Sequence, residues 1–353
     1  MGIIKENFGK TSSGIDVDKF ILSNANGIEV TIITYGATIT SIIVPDKFGN
    51  FEDIVLGYDN ISSYESGNKY FGAVIGRSAN RIEKGRFMIN GKEYRLAQND
   101  NINHLHGGRV GFDKVVWKAE RVDSAHNQLK LSYFSPDDEE GYPGNLKVSV
   151  TYTVTDDNKL IIDYEGICDK DTLVNLTNHS YFNLTGEGSK PILNHKLFIN
   201  SDEYTPMDNN SIPIGYLSSV IDTPMDFKEL KYIGSEIDSN FEQIQIGQGY
   251  DHNWMLNCKG DINTLASKLI DEASGRVLEV YTTKPAMQVY TANFLDGSDI
   301  GKGNVIYPRR SAVCLETQFV PNCINCDNFT SPVLKCGDKY NHCTIFKFGT
   351  LEN

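Results

Sequence analysis

The chain has 353 residues, a hydrophobic share of 40% and a formal net charge of -13. The apolar residues suffice for a core, but no run reaches the roughly 18 residues that a membrane-spanning helix needs. The acidic residues are scattered, and a clustered basic face of the kind that binds nucleic acid is absent. The N-terminus lacks the basic and then apolar layout of a secretory signal. We therefore expect a cytoplasmic protein without nucleic-acid or membrane partners.

The first part of the chain is typical of short strands. β-Branched residues concentrate in residues 20–23, 28–35, 37–44 and 54–58, and turn residues separate these runs. Residues 60–69 are polar and are predicted to form a loop. An Asn-Gly pair at positions 90 and 91, within residues 87–94, predicts a tight hairpin because its two-residue turn favours positive φ.

Asn80 and Arg81 lie at a polar bend between apolar stretches. An arginine fork in such a place could bind neighbouring hydroxyl groups or a carboxylate. A surface strand with solvated charges would show the same pattern, and taken alone it is the simpler interpretation.

His104 and His106 are separated by one residue and would share a side of an extended chain. They could bind a metal ion, but no third ligand is suggested nearby in the sequence. A polar contact to a sugar from one of the two is favoured, and Gly107-Gly108 would permit close approach of the ligand.

The clearest strand periodicity begins at residue 129. Residues 146–154 place apolar side chains on one side and lysine, serine and threonine on the other, which predicts a long antiparallel strand with one wet face. Residues 129–133 and 159–165 continue the pattern. Helical periodicity is scarce, with at most a turn or two between residues 226 and 237. The pattern indicates a large, almost wholly antiparallel β protein.

Residues 172–184 form the stretch around which we organise the functional hypothesis. Their first half alternates with the period of a strand, and because neither side is purely apolar, both are expected to be partly enclosed. His179 follows, flanked by Asn178, Ser180 and Tyr181. An imidazole among hydroxyl and amide groups can be oriented for proton transfer near neutral pH. A core histidine satisfied by its neighbours is the alternative interpretation.

Three further polar residues occur in apolar surroundings near the C-terminal end. Asp251 lies among aromatic residues, Gln288 lies within the predicted strand 287–292, and Glu316 follows three apolar residues in the predicted strand 312–319. Burying a carboxylate without a partner is costly, so this placement can poise a group for acid–base chemistry.

Seven cysteines occur in a chain with no export signal, which favours reduced thiols. Four of them, Cys323, Cys326, Cys336 and Cys343, crowd the C-terminal end. The six residues between the last two are the wrong spacing for a second tight zinc-binding pair. Scattered thiols are therefore favoured over a structural zinc site.

Seven motifs, in order from about residue 71 to residue 348, give the chain a resemblance to the aldose 1-epimerases (galactose mutarotases). Each motif alone is a weak signal, but seven in the same order are a strong one. The matching segments are Gly76 to Arg81, Leu105 to Gly108, Glu140 to Gly144, Asn178 to Leu184, Tyr250 to His252, Tyr290 to Phe294 and Leu315 to Gln318.

The resemblance implies a large antiparallel β-supersandwich with very little helix, formed as a single domain by residues 1–353. It implies an isomerase that interconverts the α and β anomers of hexoses such as galactose and glucose, without a metal or organic cofactor. The substrate would be a monosaccharide, and we expect a monomer or a weak homodimer.

In the same resemblance, His179 matches the general acid and Glu316 the general base. We expect their mutual attraction to favour both charged forms, with Arg81 also favouring the carboxylate. The positions that match the family's sugar-binding residues are Asn80, Arg81, His106, Tyr181, Asp251 and Gln288.

Two alternative functions stay open at this point. A mutarotase for hexose 6-phosphates would need additional arginine or lysine residues around the phosphate, and the sequence shows no obvious cluster. A non-catalytic sugar-binding protein would tolerate the loss of His179 or Glu316, and both residues are present.

Overall fold

Three antiparallel sheets carry most of the strands and surround a common apolar core. The structure is a computed structural model that describes residues 2–67, 69–188 and 190–351. The N-terminal sheet has five strands in simple chain order. They are Gly2–Lys10, Asp16–Ser23, Glu29–Ile33, Thr38–Pro45 and Phe51–Asp53.

The largest sheet has nine strands and draws on both the middle and the end of the chain. The C-terminal strand Lys339–Thr350 lies in its interior, between Lys159–Cys168 and Arg276–Thr282. The sheet therefore joins strands that are far apart in the sequence. The order across the sheet is Lys118–Asp123, Gln128–Ser135, Leu146–Val154, Lys159–Cys168, Lys339–Thr350, Arg276–Thr282, Ser267–Ile270, Lys196–Ile199 and Lys231–Tyr232.

The third sheet has six strands, and most of the candidate site residues lie on it or beside it. Its central strands carry polar side chains in fully buried positions, which is unusual for the middle of a sheet. The order is Tyr181–Phe182, Val313–Gln318, Ala286–Tyr290, Asp251–Met255, Glu203–Thr205 and Ser218–Ser219.

Short strand pairs and helices complete the described structure. The pairs are Val74–Ile75 with Thr177–Asn178, Arg81–Ile82 with His104–Leu105, Arg86–Ile89 with Lys92–Arg95, and Thr172–Leu173 with Val333–Leu334. The α-helices are Ile61–Ser66 and Glu242–Gly247. The 3-10 turns are Glu83–Gly85, Phe112–Lys114, Glu139–Gly141, Ile192–Asn194, Ile233–Ser235, Lys302–Asn304 and Cys323–Asn325.

One large core cluster joins the three sheets. It contains Phe20 from the five-stranded sheet, Val150 and Leu278 from the nine-stranded sheet, and Val289 and Leu315 from the six-stranded sheet, all of them buried. Burial of an apolar side chain of this size typically contributes about 1.5–3 kcal/mol, so the cluster fixes how the sheets lie against each other. The all-β prediction is confirmed. The six-stranded sheet packs against the other two sheets through this core.

Most of the strongly periodic strands agree with the sequence prediction. The strand Leu146–Val154 has the predicted bounds, and the hairpin of Arg86–Ile89 and Lys92–Arg95 turns at Asn90 and Gly91, both with positive φ. Where the chain has an obvious period of two, local sequence therefore determined the element.

Three local predictions were wrong. Residues 54–58 form one isolated bridge, between Val55 and Phe182, instead of a continuous strand. Residues 60–69 contain the helix Ile61–Ser66, which Asn60 caps by accepting a hydrogen bond from the Ser63 backbone N–H. The central stretch is three two-residue strands, each with a different partner, because its backbone passes between several sheets.

Weak helical signals were only partly informative. The 3-10 turn Ile233–Ser235 lies inside the region where a helical turn was expected, but the helix Glu242–Gly247 was not predicted. Among the described residues, no helix combines the length and the apolar character needed to cross a bilayer.

Candidate active site

His179 is held in place by the backbone of the neighbouring segment. The backbone N–H of His179 donates to the carbonyl oxygen of Ala73 at 2.9 Å, and its backbone carbonyl oxygen accepts from the Gly72 N–H at 3.0 Å. The side chain of Asn178 donates to the Gly72 carbonyl oxygen at 2.8 Å and accepts from the Ser180 hydroxyl at 2.6 Å. Asn178 and Ser180 therefore fix the backbone on either side, which leaves the imidazole as the group free for chemistry.

A row of polar side chains crosses three strands of the six-stranded sheet. Strand register places Gln288 opposite Glu316 on one side and opposite Asn253 on the other. Directly paired residues point to the same face of a sheet, so the three side chains line one surface. Asp251 is two residues before Asn253 and shares its face. Its Oδ1 accepts a hydrogen bond from Gln288 Nε2 at 2.7 Å.

The structure brings His179 and Glu316 together. His179 Nε2 lies 3.6 Å from Glu316 Oε1, and the two side chains are 5% and 2% exposed. The residues are more than a hundred positions apart, and they meet because residues 181–182 pair with the strand that carries Glu316. A carboxyl and an imidazole at this separation can act on two neighbouring atoms of one ligand.

Asn80, Arg81 and His106 form a second side of the site. The Asn80 N–H donates to His106 Nδ1 at 3.2 Å, so a neutral His106 carries its proton on Nε2 and can donate it to a ligand. Arg81 Nε donates to Asp100 Oδ2 at 2.7 Å, which holds the guanidinium in one orientation. The His106 ring meets the His179 ring edge-on, with centroids 5.2 Å apart.

A polar cavity adjoins these groups. Sequence analysis identified four of its lining residues, namely Asn80, Arg81, Asp251 and Gln288. The wall residues from 205–213, and Pro321, were not predicted, because the lining residues there are uncharged and show no strand period. Buried polar residues within predicted strands were a usable signal for the others. The remaining lining residues are Thr205, Met207, Ser211, Pro213, His252, Asn253 and Pro321.

Comparison with known proteins decides the family. The Aldose 1-epimerase family profile matches residues 18–347. A galactose mutarotase from Sus scrofa is 44% identical over 349 residues, covering 99% of each chain. One from Homo sapiens is 46% identical over 337 residues, covering 96% of this chain and 95% of that protein. The chain belongs to the aldose 1-epimerase family.

More distant relatives and solved structures agree with this aldose 1-epimerase assignment. An aldose 1-epimerase from Escherichia coli K12 is 38% identical over 329 residues, covering 93% of this chain and 94% of that protein. The crystal structure of an aldose epimerase homologue from C. elegans has a TM-score of 0.86 at 31% identity, covering 94% of this chain and 98% of the other. That of a galactose 1-epimerase from Lactobacillus acidophilus has a TM-score of 0.86 at 28% identity, covering 99% of each.

Burial dominates the protonation of the His179–Glu316 pair. It lowers the pKa of His179 to about 4. It raises the pKa of Glu316 well above its usual range; Asp251 adds to this rise, and Arg81 opposes it. The expectation that mutual attraction favours both charged forms is therefore wrong for the free protein, because loss of hydration outweighs the attraction. The predicted effect of Arg81 on the carboxyl has the correct sign.

Two further ionisable groups of the site, His106 and Asp251, respond to the same cause. Burial lowers the pKa of His106 well below its usual range, and His179 and Arg81 lower it further. Burial raises the pKa of Asp251, whereas Arg81 and the hydrogen bond from Gln288 oppose the rise. His106 is therefore a neutral hydrogen-bond donor at physiological pH, which suits contact with an uncharged hydroxyl group.

One expectation about the 104–108 motif is wrong, because the two imidazoles do not share a side. His104 Nε2 lies 2.7 Å from the Tyr142 hydroxyl and its Nδ1 lies 2.7 Å from the Ala97 carbonyl oxygen, whereas the His106 ring meets that of His179. Chain packing requires a glycine at position 107. It has a φ of 89°, and a Cβ there would overlap the Gly76 carbonyl oxygen. The positive φ of His106 turns the second imidazole away from the first and towards His179.

His106, His179 and Glu316 are also the three described residues whose donor atoms come within 4.8 Å of one another, close enough to meet one metal ion. Coordination would occupy the groups that proton transfer requires, so we keep the prediction of a metal-free enzyme and assign none of them as a ligand. The four cysteines near the C-terminal end are free thiols: Cys323 is buried, Cys326 and Cys343 are half-buried, and Cys336 is exposed.

Proposed function

We propose that the protein interconverts the α and β anomers of a hexose such as galactose or glucose, with Glu316 as general base and His179 as general acid. The observation that carries the proposal is the buried imidazole–carboxyl pair, with 3.6 Å between His179 Nε2 and Glu316 Oε1. Both proton transfers of ring opening involve oxygen atoms bonded to the same carbon, so the acid and the base must be close together.

The reaction uses the pair as follows. Ionised Glu316 takes the proton of the C1 hydroxyl while protonated His179 gives one to the ring oxygen, and the bond between C1 and the ring oxygen breaks. The open aldehyde rotates about C1–C2 and recloses on either face by the reverse transfers. Each well-placed acid or base typically contributes about 10²- to 10⁴-fold. No covalent intermediate is needed.

The protonation preferences of the site fit the open-chain stage. After ring opening Glu316 holds a proton and His179 is neutral, and these are the two forms that burial favours. Before ring opening the pair also holds one proton, and that proton must sit on His179 while Glu316 is ionised. The pair therefore needs one proton in total at every stage, and the proton that Glu316 returns during reclosure is the one it took from the sugar.

The remaining site residues are suited to hydroxyl groups. Arg81 and His106 offer donors, Asp251 offers an acceptor, and Gln288 offers both. Gln288 Oε1 is buried and has no hydrogen-bond partner among the described residues, so a sugar hydroxyl would satisfy it. We assign sugar binding to these four residues and to Asn80. Tyr181 lies with its ring against His179, and we assign it to the support of that residue as well as to the sugar pocket.

The relatives support galactose as one substrate, because the proteins from Sus scrofa and Homo sapiens are named galactose mutarotases. The phosphorylated-sugar alternative is disfavoured at the cavity itself. Among the described lining residues, Arg81 is the one cation, and Asp100 already balances its charge. A neutral monosaccharide therefore suits the site better than a hexose 6-phosphate.

We further propose that residues 1–353 act as one domain, since a single core cluster contains residues from all three sheets. The sequence expectations of a cytoplasmic location and of a monomer or weak homodimer belong to the same proposal. Gel filtration with light scattering over a range of protein concentrations measures the second directly. A stable higher oligomer would contradict it.

Polarimetry on freshly dissolved α-galactose and α-glucose tests the function. We expect the wild type to accelerate mutarotation of both sugars, and Glu316→Gln and His179→Ala each to lose about 10²- to 10⁴-fold. Matched controls are Glu93→Gln and His126→Ala, whose side chains are exposed and far from the pair in the fold. A wild type that binds the sugars without accelerating mutarotation would establish the binding-protein alternative. Preference for galactose 6-phosphate would establish the phosphate alternative.

A further inference from the structure

The imidazole of His179 is flanked by two tyrosine rings that lie nearly parallel to it. The Tyr181 ring has its centroid 5.0 Å away with an interplanar angle of 18°. The Tyr70 ring has its centroid 5.8 Å away with an angle of 22°. Tyr181 lies two residues after His179, at the start of the strand Tyr181–Phe182, whereas Tyr70 comes from a separate segment of the chain. Sequence analysis gave Tyr70 no role.

Tyr70 also contacts the second imidazole of the site. Its ring centroid lies 4.7 Å from that of His106, and Tyr70 packs against the buried cluster of Ala73, Ile75 and Ala79. The backbone of Tyr70 has a φ of 61°, and its carbonyl oxygen accepts a hydrogen bond from the Ala73 N–H at 3.1 Å. This turn directs the ring back over the site instead of along the strand.

Few of the groups that face His179 can stabilise the positive charge of a protonated imidazole. They are the carboxyl of Glu316, the edge-on ring of His106, the ring of Tyr290 at 6.5 Å and the two stacked tyrosines. His106 carries no charge when neutral, and Glu316 gains a proton during the reaction. Glu316, His106, Tyr181 and Tyr290 are buried and Tyr70 is half-buried, which removes most of the water that would otherwise stabilise an imidazolium.

Aromatic rings can replace part of that hydration. A cation within about 6 Å of a ring centroid, over the ring face, is attracted by the quadrupole of the ring. Both stacked tyrosines meet the distance criterion. Burial raises the pKa of Tyr70, with Asp113 and Asp100 contributing, so its ring stays neutral and acts through the π system.

We propose that Tyr70 is a positioning residue for the general acid: its ring stacks on His179, fixes the plane of the imidazole and stabilises the imidazolium that protonates the sugar ring oxygen. The catalytic part of this proposal rests on the role proposed above for His179. The electrostatic part does not rest on that role, since it concerns the stability of the imidazolium whether or not His179 protonates the sugar.

The test compares three side chains at position 70. Tyr70→Phe keeps the ring, and Tyr70→Leu removes it while keeping an apolar side chain. Replacing Tyr70 by 3,4,5-trifluorophenylalanine keeps the shape of the ring but weakens its quadrupole, so this variant keeps the test valid if the leucine variant fails to fold. The control is Tyr94→Leu, which removes a similarly stacked tyrosine from the outer hairpin, where Phe87 lies 5.5 Å away at 22°.

Two measurements are made on each variant. One is kcat/KM by polarimetry across the pH range, and the other is the titration of His179 by NMR of labelled imidazole. We expect Tyr70→Phe to stay within about twofold of the wild type. The leucine and trifluorophenylalanine variants should each lose up to about tenfold in kcat/KM at neutral pH, with the His179 titration moved to lower pH by up to about one unit. Tyr94→Leu should leave both unchanged.

Several results would overturn the proposal. An unchanged His179 titration in the trifluorophenylalanine variant would remove the electrostatic role. A loss in Tyr70→Phe as large as in Tyr70→Leu would assign the effect to the hydroxyl group. Equal losses at all pH values with an unchanged titration would indicate a purely structural role. If His179→Ala retains turnover, the acid assignment fails, while the NMR titration still decides whether the stacking stabilises the charge.

Discussion

Two buried polar regions of this molecule differ in whether their polar atoms find hydrogen-bond partners within the protein. Around Arg77, every nitrogen of the guanidinium donates a hydrogen bond within the protein. The Arg77 side chain is buried, and its acceptors are the Ser135 hydroxyl and carbonyl oxygens, the carbonyl oxygens of Pro136, Pro143 and Gly144, and the Thr172 hydroxyl.

Around His179 and Glu316 the buried polar atoms are left without partners. Within the described chain, His179 Nδ1, Glu316 Oε2, Gln288 Oε1 and Asn253 Nδ2 make no hydrogen bond. Buried polar groups in native proteins are nearly always paired, so unpaired atoms on paired strand residues beside His179 indicate a site that a polar ligand completes. The hydrogen bonds of the Arg77 guanidinium are complete within the protein, whereas we expect a bound sugar to complete those of the His179 region.

Glu316→Gln should give the largest effect on the catalytic side of this comparison. The amide keeps the shape of the side chain but cannot take a proton, so we expect a loss of about 10²- to 10⁴-fold in turnover. Sugar affinity measured by calorimetry should change little. Wild-type turnover in this variant would show that Glu316 is not the general base. A loss of sugar affinity without any change in kcat would show that Glu316 only contacts the sugar.

Arg77→Leu should give the largest effect on the structural side. It leaves four backbone carbonyl oxygens in a buried region without their donor, and disruption of such a network typically costs about 3–5 kcal/mol of unfolding free energy. Chemical denaturation measures this loss. The fraction that remains folded should keep its catalytic constants. A stable variant with reduced turnover would instead place Arg77 in the active site.

The pH dependence of kcat/KM should show which protonation states the pair uses. As pH falls, His179 gains a proton while Glu316 is still protonated, and no base remains. The acid limb should lie below the ordinary histidine pKa of about 6.5, towards the pKa of about 4 that burial gives His179. As pH rises, Glu316 loses its proton and no acid remains. This limb should lie well above the ordinary carboxyl range. A single limb, or an acid limb above pH 6.5, would contradict this account.

Chelation should have the smallest effect. We expect the unpaired atoms around His179 and Glu316 to bind sugar hydroxyls and not a metal ion. Treatment with EDTA followed by dialysis should therefore leave turnover unchanged. Loss of activity that added metal restores would assign His106, His179 and Glu316 to a metal site. Wild-type protein dialysed without EDTA controls for damage during dialysis.

The sequence predicted those parts of the fold in which local pattern and structure coincide. Residues 146–154 alternate so regularly that their strand needs no tertiary information. The stretch from Thr172 to Leu184 behaves differently, since each two-residue strand within it is defined by a partner elsewhere in the chain. The capped helix Ile61–Ser66 was missed because six polar-rich residues show no helical period.

For the site, polar residues inside apolar strands were visible in the sequence, and family resemblance supplied their roles. What the sequence did not contain was the register that sets Gln288 beside Glu316, because it depends on pairing between distant strands. The wall at residues 205–213 and the ring of Tyr70 gave no signal either. Burial also reversed the expected protonation of the pair, and burial is a property of the folded chain alone.

The most direct test of the central claim, that His179 and Glu316 act as one proton-sharing unit, is a double-mutant cycle on kcat/KM for α-galactose. The variants are Glu316→Gln, His179→Ala and the combination of the two. Residues that act as a unit have strongly non-additive effects, so we predict that the double variant is no slower than the worse single variant. A double variant whose loss equals the product of the two single losses would show that the groups act independently and would contradict the account.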